Sequence, residues 1–177
     1  MRKSWVLLLA VAMLAGCTGE ATPSTSTRVT STSAKSAPAL AIGASPSPGG
    51  CSDTPLWIGA APQWTASAGL PGNTPYILSH EDNLVGVLFG FPLRAGANVT
   101  DPTNKILWVS REPRDGKELH LTLRRADGTG QPVTQVEPAD SGPGQIYPSI
   151  VDAPTAGCWQ VQASWNGHIA TLGLNYT

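Results

Sequence analysis

The turn Ser79-His80-Glu81-Asp82 contains the residue types best suited to bind a metal ion in this sequence. Imidazole and carboxylate groups are common ligands of divalent cations. Neighbours in a single turn rarely point to a common centre, so a hydrophilic turn between two strands is the favoured interpretation. No metal and no cofactor is predicted. A ligand- or metal-sensing role that uses His80 is kept as the alternative.

Residue types that could support catalysis are scattered rather than clustered. The chain has no Gly-x-Ser-x-Gly motif for a nucleophile elbow. Asp101, Glu112, Asp115 and Asp152 stand near prolines or glycines in predicted loops, and no spacing brings two of them together as an acid–base pair. An enzyme is therefore not predicted and is the least favoured function.

Aromatic side chains offer more scope for binding, since the chain contains six tryptophans. Trp108, Trp159 and Trp165 fall on apolar faces of predicted strands and are assigned to the core. Trp64 lies in a proline-interrupted stretch and Tyr147 precedes Pro148, so both could join His80 as ligand contacts on loops. Packing of the Trp64 stretch over a sheet is the favoured alternative.

The N-terminus has the organisation of a bacterial lipoprotein signal. Arg2 and Lys3 precede the apolar run Trp5–Leu14, which is too short to span a bilayer. The run ends in Leu14-Ala15-Gly16-Cys17, which resembles a lipobox. The resemblance implies that residues 1–16 are removed, that the thiol of Cys17 takes a diacylglyceryl group, and that the protein is anchored on the extracytoplasmic face of a bacterial membrane.

Residues 17–50 are rich in Ser, Thr, Ala and Pro and contain no aromatic side chain. Such a segment cannot bury enough apolar surface to offset its ordering entropy, so it is predicted to be a disordered tether. Residues 51–177 are long enough for one folded domain. Because only 13% of residues are charged and the net charge is −1, a nucleic-acid partner is not expected.

Two cysteines remain in the predicted domain once Cys17 is assigned to the lipid. Outside the cytoplasm such a pair usually forms a disulfide, so Cys51 and Cys158 are predicted to be bridged. Cys158 lies on the face of its strand opposite Trp159. The bridge is therefore expected on the outer side of that sheet, joining the start of the domain to its C-terminal hairpin.

A β-hairpin is predicted over the last twenty residues, because Asn166-Gly167 separates two alternating runs. The two-residue turn pairs Trp165 with His168 and Trp159 with Leu174. This register places an apolar set on one face and a mostly polar set, including Gln160 and Gln162, on the other. A shift of one residue would expose both tryptophans to water.

Strand-like runs also occur throughout the rest of the domain, separated by turns rich in Gly and Pro. Leu84–Phe91 is continuously apolar and predicts a strand in the middle of a sheet, buried on one face and partly covered on the other. Glu118–Arg124 alternates, with Leu119, Leu121 and Leu123 inward, and Pro148 confines its own strand to an edge or bulge. Seven to nine short strands without helical periodicity predict an all-β, immunoglobulin-like antiparallel β-sandwich.

Several segments match a known sequence pattern. They are Phe91-Pro92-Leu93-Arg94, Lys105-Ile106-Leu107-Trp108-Val109-Ser110-Arg111, Pro148-Ser149-Ile150-Val151 and Gly157-Cys158-Trp159. From Pro55 to the C-terminus the chain resembles an uncharacterised family of actinobacterial-type membrane lipoproteins. The family has no assigned activity, so the resemblance implies a cellular location and a fold but transfers no site residues.

These inferences together predict a lipid-anchored β-sandwich that serves as a binding or structural module at the cell envelope. Its expected partners are the membrane, through Cys17, and an envelope protein or glycan. A solute-binding or metal-sensing lipoprotein and an envelope enzyme are the alternatives.

Overall fold

The structure, a computed structural model, describes residues 44–96 and 104–177. The signal segment 1–16, Cys17, the tether as far as residue 43 and Asp101 lie outside these ranges. No helix in the described part of the chain is both long and apolar enough to cross a membrane.

Ten antiparallel strands and one short 3-10 helix, Gln63–Ala68, make up the described part of the domain. The strands are β1 (Ser45–Cys51), β2 (Thr54–Ile58), β3 (Tyr76–Leu78), β4 (Leu84–Leu88), β5 (Lys105–Ser110), β6 (Leu119–Arg125), β7 (Val133–Glu137), β8 (Ile146–Ile150), β9 (Gly157–Trp165) and β10 (His168–Tyr176). They form a six-stranded sheet in the order β1-β2-β3-β4-β5-β8 and a four-stranded sheet in the order β10-β9-β6-β7. The prediction of an all-β sandwich is confirmed, and its immunoglobulin-like character stays a prediction.

The number of strands exceeds the predicted seven to nine because β1 was not foreseen. Its sequence, Ser-Pro-Ser-Pro-Gly-Gly-Cys, has the composition of the tether and no apolar alternation. It pairs with β2 through a register that shifts between Ser47 and Cys51. The first described strand therefore begins at Ser45, inside the segment 17–50 that the sequence assigns to the tether.

The C-terminal hairpin has the predicted register at every position, from Trp165 opposite His168 to Trp159 opposite Leu174. Asn166 and Gly167 have φ values of 43° and 80°, as a type I′ turn requires. The inward face of the hairpin packs between the sheets with the three leucines of β6 and with Trp108. Local turn chemistry and side-chain alternation thus suffice to specify the register of this hairpin.

A second apolar cluster covers the outer face of the six-stranded sheet. Val85, Val87 and Val109 are buried there beneath Trp57 and Trp64, the latter carried by the 3-10 helix. This arrangement confirms that β4 is covered on both faces. The strand ends at Leu88, however, three residues earlier than predicted.

Side chains cap the outer edge strand, β8, at both of its ends. The buried Arg114 guanidinium donates to the carbonyl of Ile146, and Gln135 Nε2 donates to the carbonyl of Ile150 at 2.8 Å. Pro148, which lacks an amide proton, lies between them, as predicted for an edge. These bonds leave little of β8 open for addition of a further strand.

Glu137 lies at the contact between β7 and β8, and its buried carboxylate can be tested through the pH dependence of stability. Gln135 Nε2 donates a hydrogen bond to this carboxylate. Burial raises the pKa of Glu137, although the bond from Gln135 opposes this effect. A raised folded-state pKa favours folding at low pH, and this contribution is lost as the pH rises through the folded-state value. Glu137→Gln is therefore expected to raise the Tm at pH 7. The gain should vanish near about pH 3, where the carboxyl is protonated in both folded and unfolded chains. A lower Tm for the variant at pH 7 would contradict this assignment.

Candidate functional site

The disulfide between Cys51 and Cys158 is formed, with a Cα–Cα distance of 5.6 Å. Cys158 pairs with Asn175 on the outward side of the hairpin, so the bridge lies outside the sandwich core, as predicted. It fastens the end of β1 across β10. There Gly173 is so close to Cys51 that an added Cβ would lie 2.9 Å from the Cys51 carbonyl carbon.

A buried threonine extends this junction towards the turn that follows β3. Thr54 Oγ1 accepts a hydrogen bond from the Gly173 amide at 2.9 Å and lies 3.1 Å from His80 Nε2. The His80 amide donates to the Thr171 carbonyl at 2.9 Å. His80 is thereby held at the edge of the four-stranded sheet.

The other two candidate metal ligands of the turn point elsewhere. The Glu81 carboxylate accepts bonds from the amide and the hydroxyl of Thr171, both at 2.7 Å. Asp82 forms an ion pair with Arg111 at 3.0 Å. No three His, Cys, Asp or Glu side chains within residues 44–96 and 104–177 are grouped so as to hold a metal ion. His80 and Glu81 instead fasten the turn to Thr171 of β10, and we call this pair of contacts the clasp.

A groove of about 370 Å³ lies between this clasp and the outward face of the four-stranded sheet. We call its floor the polar face, which consists of Thr122, Arg124, Gln160, Gln162 and Thr171. Strand register makes these residues neighbours, because Thr122 and Thr171 flank Gln162 while Arg124 pairs with Gln160.

The rim of the groove carries His80 and Ser52. Ser52 Oγ lies 2.9 Å from Cys158 Sγ, so the turn after β1 is fastened to the bridge. A further depression of about 250 Å³ shares Arg124 and Gln160 with the groove and extends it towards Thr129.

Arg124 supplies the permanent charge among the lining residues, while the Glu81 carboxylate lies just behind Thr171. No Asp or Glu is among its described lining residues, whereas Arg124 and His80 are. Arg124 forms no ion pair within the described ranges. The adjacent Arg125 instead hydrogen-bonds Asp127 at 2.7 Å and holds the pKa of that carboxyl well below its usual range. Arg124 is thus the exposed cation of the groove.

The polar face is suited to recognition through hydrogen bonds. Gln160, Gln162 and Arg124 are exposed, and none of them makes a side-chain hydrogen bond to another described residue. Together with the Thr122 hydroxyl, they present donors and acceptors over adjacent strands, whereas the Thr171 hydroxyl already donates to Glu81. A guanidinium among neutral amides and hydroxyls matches a ligand that carries several hydroxyls and a carboxylate.

Of the three ligand contacts predicted from the sequence, only His80 lines the groove. The prediction for Tyr147 is wrong, since its side chain is fully buried and its hydroxyl donates to the Lys117 carbonyl at 2.9 Å. Alternation along β8 turns Tyr147 inward, although the strand itself lies at an edge. Trp64 is half-buried against the second cluster, which is the packing role that the sequence also allowed.

Sequence reasoning missed the polar face as a unit. The alternation of Glu118–Arg124 and of the hairpin had already placed all five residues on outward faces. What the pattern lacked was the pairing of β6 with β9, which brings Thr122 and Arg124 beside the two glutamines.

Comparison with models of protein families, with curated proteins and with solved structures found no match.

Proposed function

We propose that the protein is a binding module anchored by lipid at Cys17 to the extracytoplasmic face of a bacterial membrane. Its polar face would bind an acidic glycan of the cell envelope. The observation that carries the binding role is the groove in which Arg124 has no carboxylate partner among exposed amides and hydroxyls. The lipobox and the resemblance to actinobacterial-type lipoproteins support the proposed location at the membrane.

A glycan fits this groove better than an apolar peptide does. Amide and guanidinium groups can each engage neighbouring sugar hydroxyls, and Arg124 can bind a carboxylate through two parallel hydrogen bonds. The volume of about 370 Å³ is within the usual size of small-ligand sites, about 300–1,000 Å³. Val161 and Leu172 line the groove as well as the residues of the polar face, so hydrogen bonds to the side chains of the polar face would act together with apolar contacts to determine specificity.

Arg124→Ala is expected to weaken binding of an oligosaccharide that contains uronic acid by about tenfold or more, because a hydrogen bond to a charged group contributes about 1.5–3 kcal/mol. Isothermal titration calorimetry on the parent and the variant measures the change. The same oligosaccharide with its carboxyls reduced to alcohols should bind the parent more weakly and should not distinguish the parent from the variant.

Arg94→Ala is the matched control, since Arg94 is also exposed but does not line the groove. It should leave the affinity unchanged. Equal losses in the two variants would indicate a non-specific charge effect, and no binding of either oligosaccharide would contradict a glycan ligand. Binding of a free uronic acid as tight as that of the oligosaccharide would favour the solute-binding alternative.

A further inference from the structure

Three exposed hydrophobic side chains, Ile58, Phe89 and Ile150, lie at one end of the six-stranded sheet, and a fourth, Phe91, follows Phe89 by two residues with its ring near Gly49 of β1. Strand register traces this end from Ser45, which pairs with Ile58, to Lys105, which pairs with Ile150. Between them, the amide of Phe89, the residue after β4, donates to the Lys105 carbonyl at 3.0 Å. We call this surface the apolar end; it consists of Ile58, Phe89, Phe91, Lys105 and Ile150.

All four hydrophobic side chains are well exposed. Phe89 is 47% exposed, Phe91 43%, Ile150 50% and Ile58 39%. The remaining large hydrophobic side chains with comparable exposure in the described ranges are Val136 and Ile169 of the four-stranded sheet. Grouped exposed apolar residues usually mark a contact surface, whereas single ones need no explanation.

A cation accompanies this apolar group. Lys105 Nζ lies 5.8 Å from the centre of the Phe89 ring. Because Lys105 pairs with Ile150, its side chain lies beside an aliphatic residue as well as an aromatic one. Side chains of this kind place apolar parts at a lipid boundary while the ammonium group stays among the headgroups.

The chain also reaches the sandwich at this end. β1 begins at Ser45, and the segment before it leads back to Cys17. The predicted tether would have an r.m.s. span of roughly 30 Å at that length, so the domain would stay close to the surface that holds the acyl chains. The end of the sheet nearest the tether is therefore the one that exposes the apolar residues.

We propose that the apolar end rests on the lipid surface of the membrane and orients the domain there. This inference depends on the proposed lipid anchor at Cys17. The two acyl chains of the proposed diacylglyceryl group hold the chain at the membrane, and their high effective concentration favours a second membrane contact on the same molecule that fixes its orientation. His80 lies before the first residue of β4 and Phe89 lies after its last residue. The length of β4, about 17 Å, therefore separates the His80 rim of the groove from Phe89 at the apolar end. The groove rim is thereby directed away from the lipid.

Vesicle flotation tests the proposal without the contribution of the acyl chains. The chain from residue 17 onward, carrying Cys17→Ser, is mixed with vesicles of phosphatidylglycerol and phosphatidylethanolamine, and the bound fraction is measured. The parent form of this chain is expected to bind. Phe89→Ser combined with Phe91→Ser should lower its partition coefficient about tenfold or more.

Val136→Ser combined with Ile169→Ser is the matched control, because these side chains are as exposed but lie on the other sheet. Phe91 also lies close to Gly49, so Phe89→Ser and Ile150→Ser are measured singly as variants with no such contact. Each should reduce binding severalfold while the unfolding midpoint stays that of the parent. Lys105→Gln should reduce binding to the anionic vesicles and leave binding to pure phosphatidylcholine vesicles unchanged.

Three results would overturn the proposal. One is no flotation of the parent chain, and another is an equal loss in the control. The third is a concentration-dependent dimer that Phe89→Ser abolishes without affecting flotation, which would assign the surface to a second copy. Mass spectrometry of the full chain for acylation of Cys17 tests the anchor separately, so failure of the anchor and failure of the apolar end are distinguishable.

Discussion

Replacement of both Cys51 and Cys158 by alanine is expected to lower the free energy of unfolding by about 2–5 kcal/mol. The two cysteines are 107 residues apart, so the bridge closes a loop that spans nearly the whole domain. β1 depends on it more than any other strand does, because its proline- and glycine-rich sequence supplies little apolar surface for packing. Urea unfolding of the parent and the double variant measures the loss.

Reduction of the parent with a thiol should bring its unfolding midpoint to that of the double variant. Ser52→Ala, which removes a neighbouring hydroxyl but keeps the bridge, is the control and should change the free energy of unfolding by less than about 1 kcal/mol. A double variant as stable as the parent would show that β1 holds its place without the bridge.

Gly173→Ala is expected to cost about 3 kcal/mol, towards the upper end of the range for overpacked sites. An added Cβ would meet the Cys51 carbonyl oxygen and would lie 2.9 Å from Cys51 Sγ. Neither atom can withdraw easily, since the disulfide fastens Cys51 to the neighbouring strand. Displacement would also stretch the bond from the Gly173 amide to Thr54. Urea unfolding again provides the measurement.

Gly72→Ala is the matched control, because an added Cβ there has no atom within 4 Å and Gly72 does not have a positive φ. Its effect should stay within about 0.5 kcal/mol. In the background that lacks the disulfide, β1 is free to move, so the cost of Gly173→Ala should fall well below its value in the parent. Equal costs in the two backgrounds would contradict the crossing of β1 over β10 as the source of the effect.

The parts of the fold that depend on local chemistry could be predicted from the sequence. Asn166-Gly167 specifies a turn with positive φ, and this turn determines the partner of every residue in the hairpin. The same register places Cys158 outward, which was enough to locate the bridge. Alternation in β6 likewise identified its buried leucines.

Features that depend on pairing between distant strands could not be predicted. β1 has no apolar period, and it is ordered by β2, by the disulfide and by the small volume of Gly173. Tyr147 shows the opposite difficulty, since its position beside Pro148 suggested a surface aromatic while alternation within β8 turns it into the core. An edge strand is exposed along its backbone, but one of its faces can still be buried.

The polar face depends both on alternation within each strand and on pairing between distant strands. Each of its residues was recognisable as outward from its own strand, but they form one surface only because β6, β9 and β10 lie side by side. The clasp formed by His80 and Glu81 on Thr171 then closes one side of the groove. Of the residues that had suggested a metal site, Glu81 bonds Thr171, Asp82 pairs with Arg111, and His80 lies on the rim of the groove.

The most direct test of the proposed function is an NMR titration of the chain from residue 17 onward, carrying Cys17→Ser and labelled with ¹⁵N, with an oligosaccharide that contains uronic acid. We expect saturable shifts of the backbone amides of the polar face and of the side-chain amides of Gln160 and Gln162, which Arg124→Ala reduces. Spectra that do not change, or shifts confined to residues away from the polar face, would contradict the assignment of this groove as the binding site.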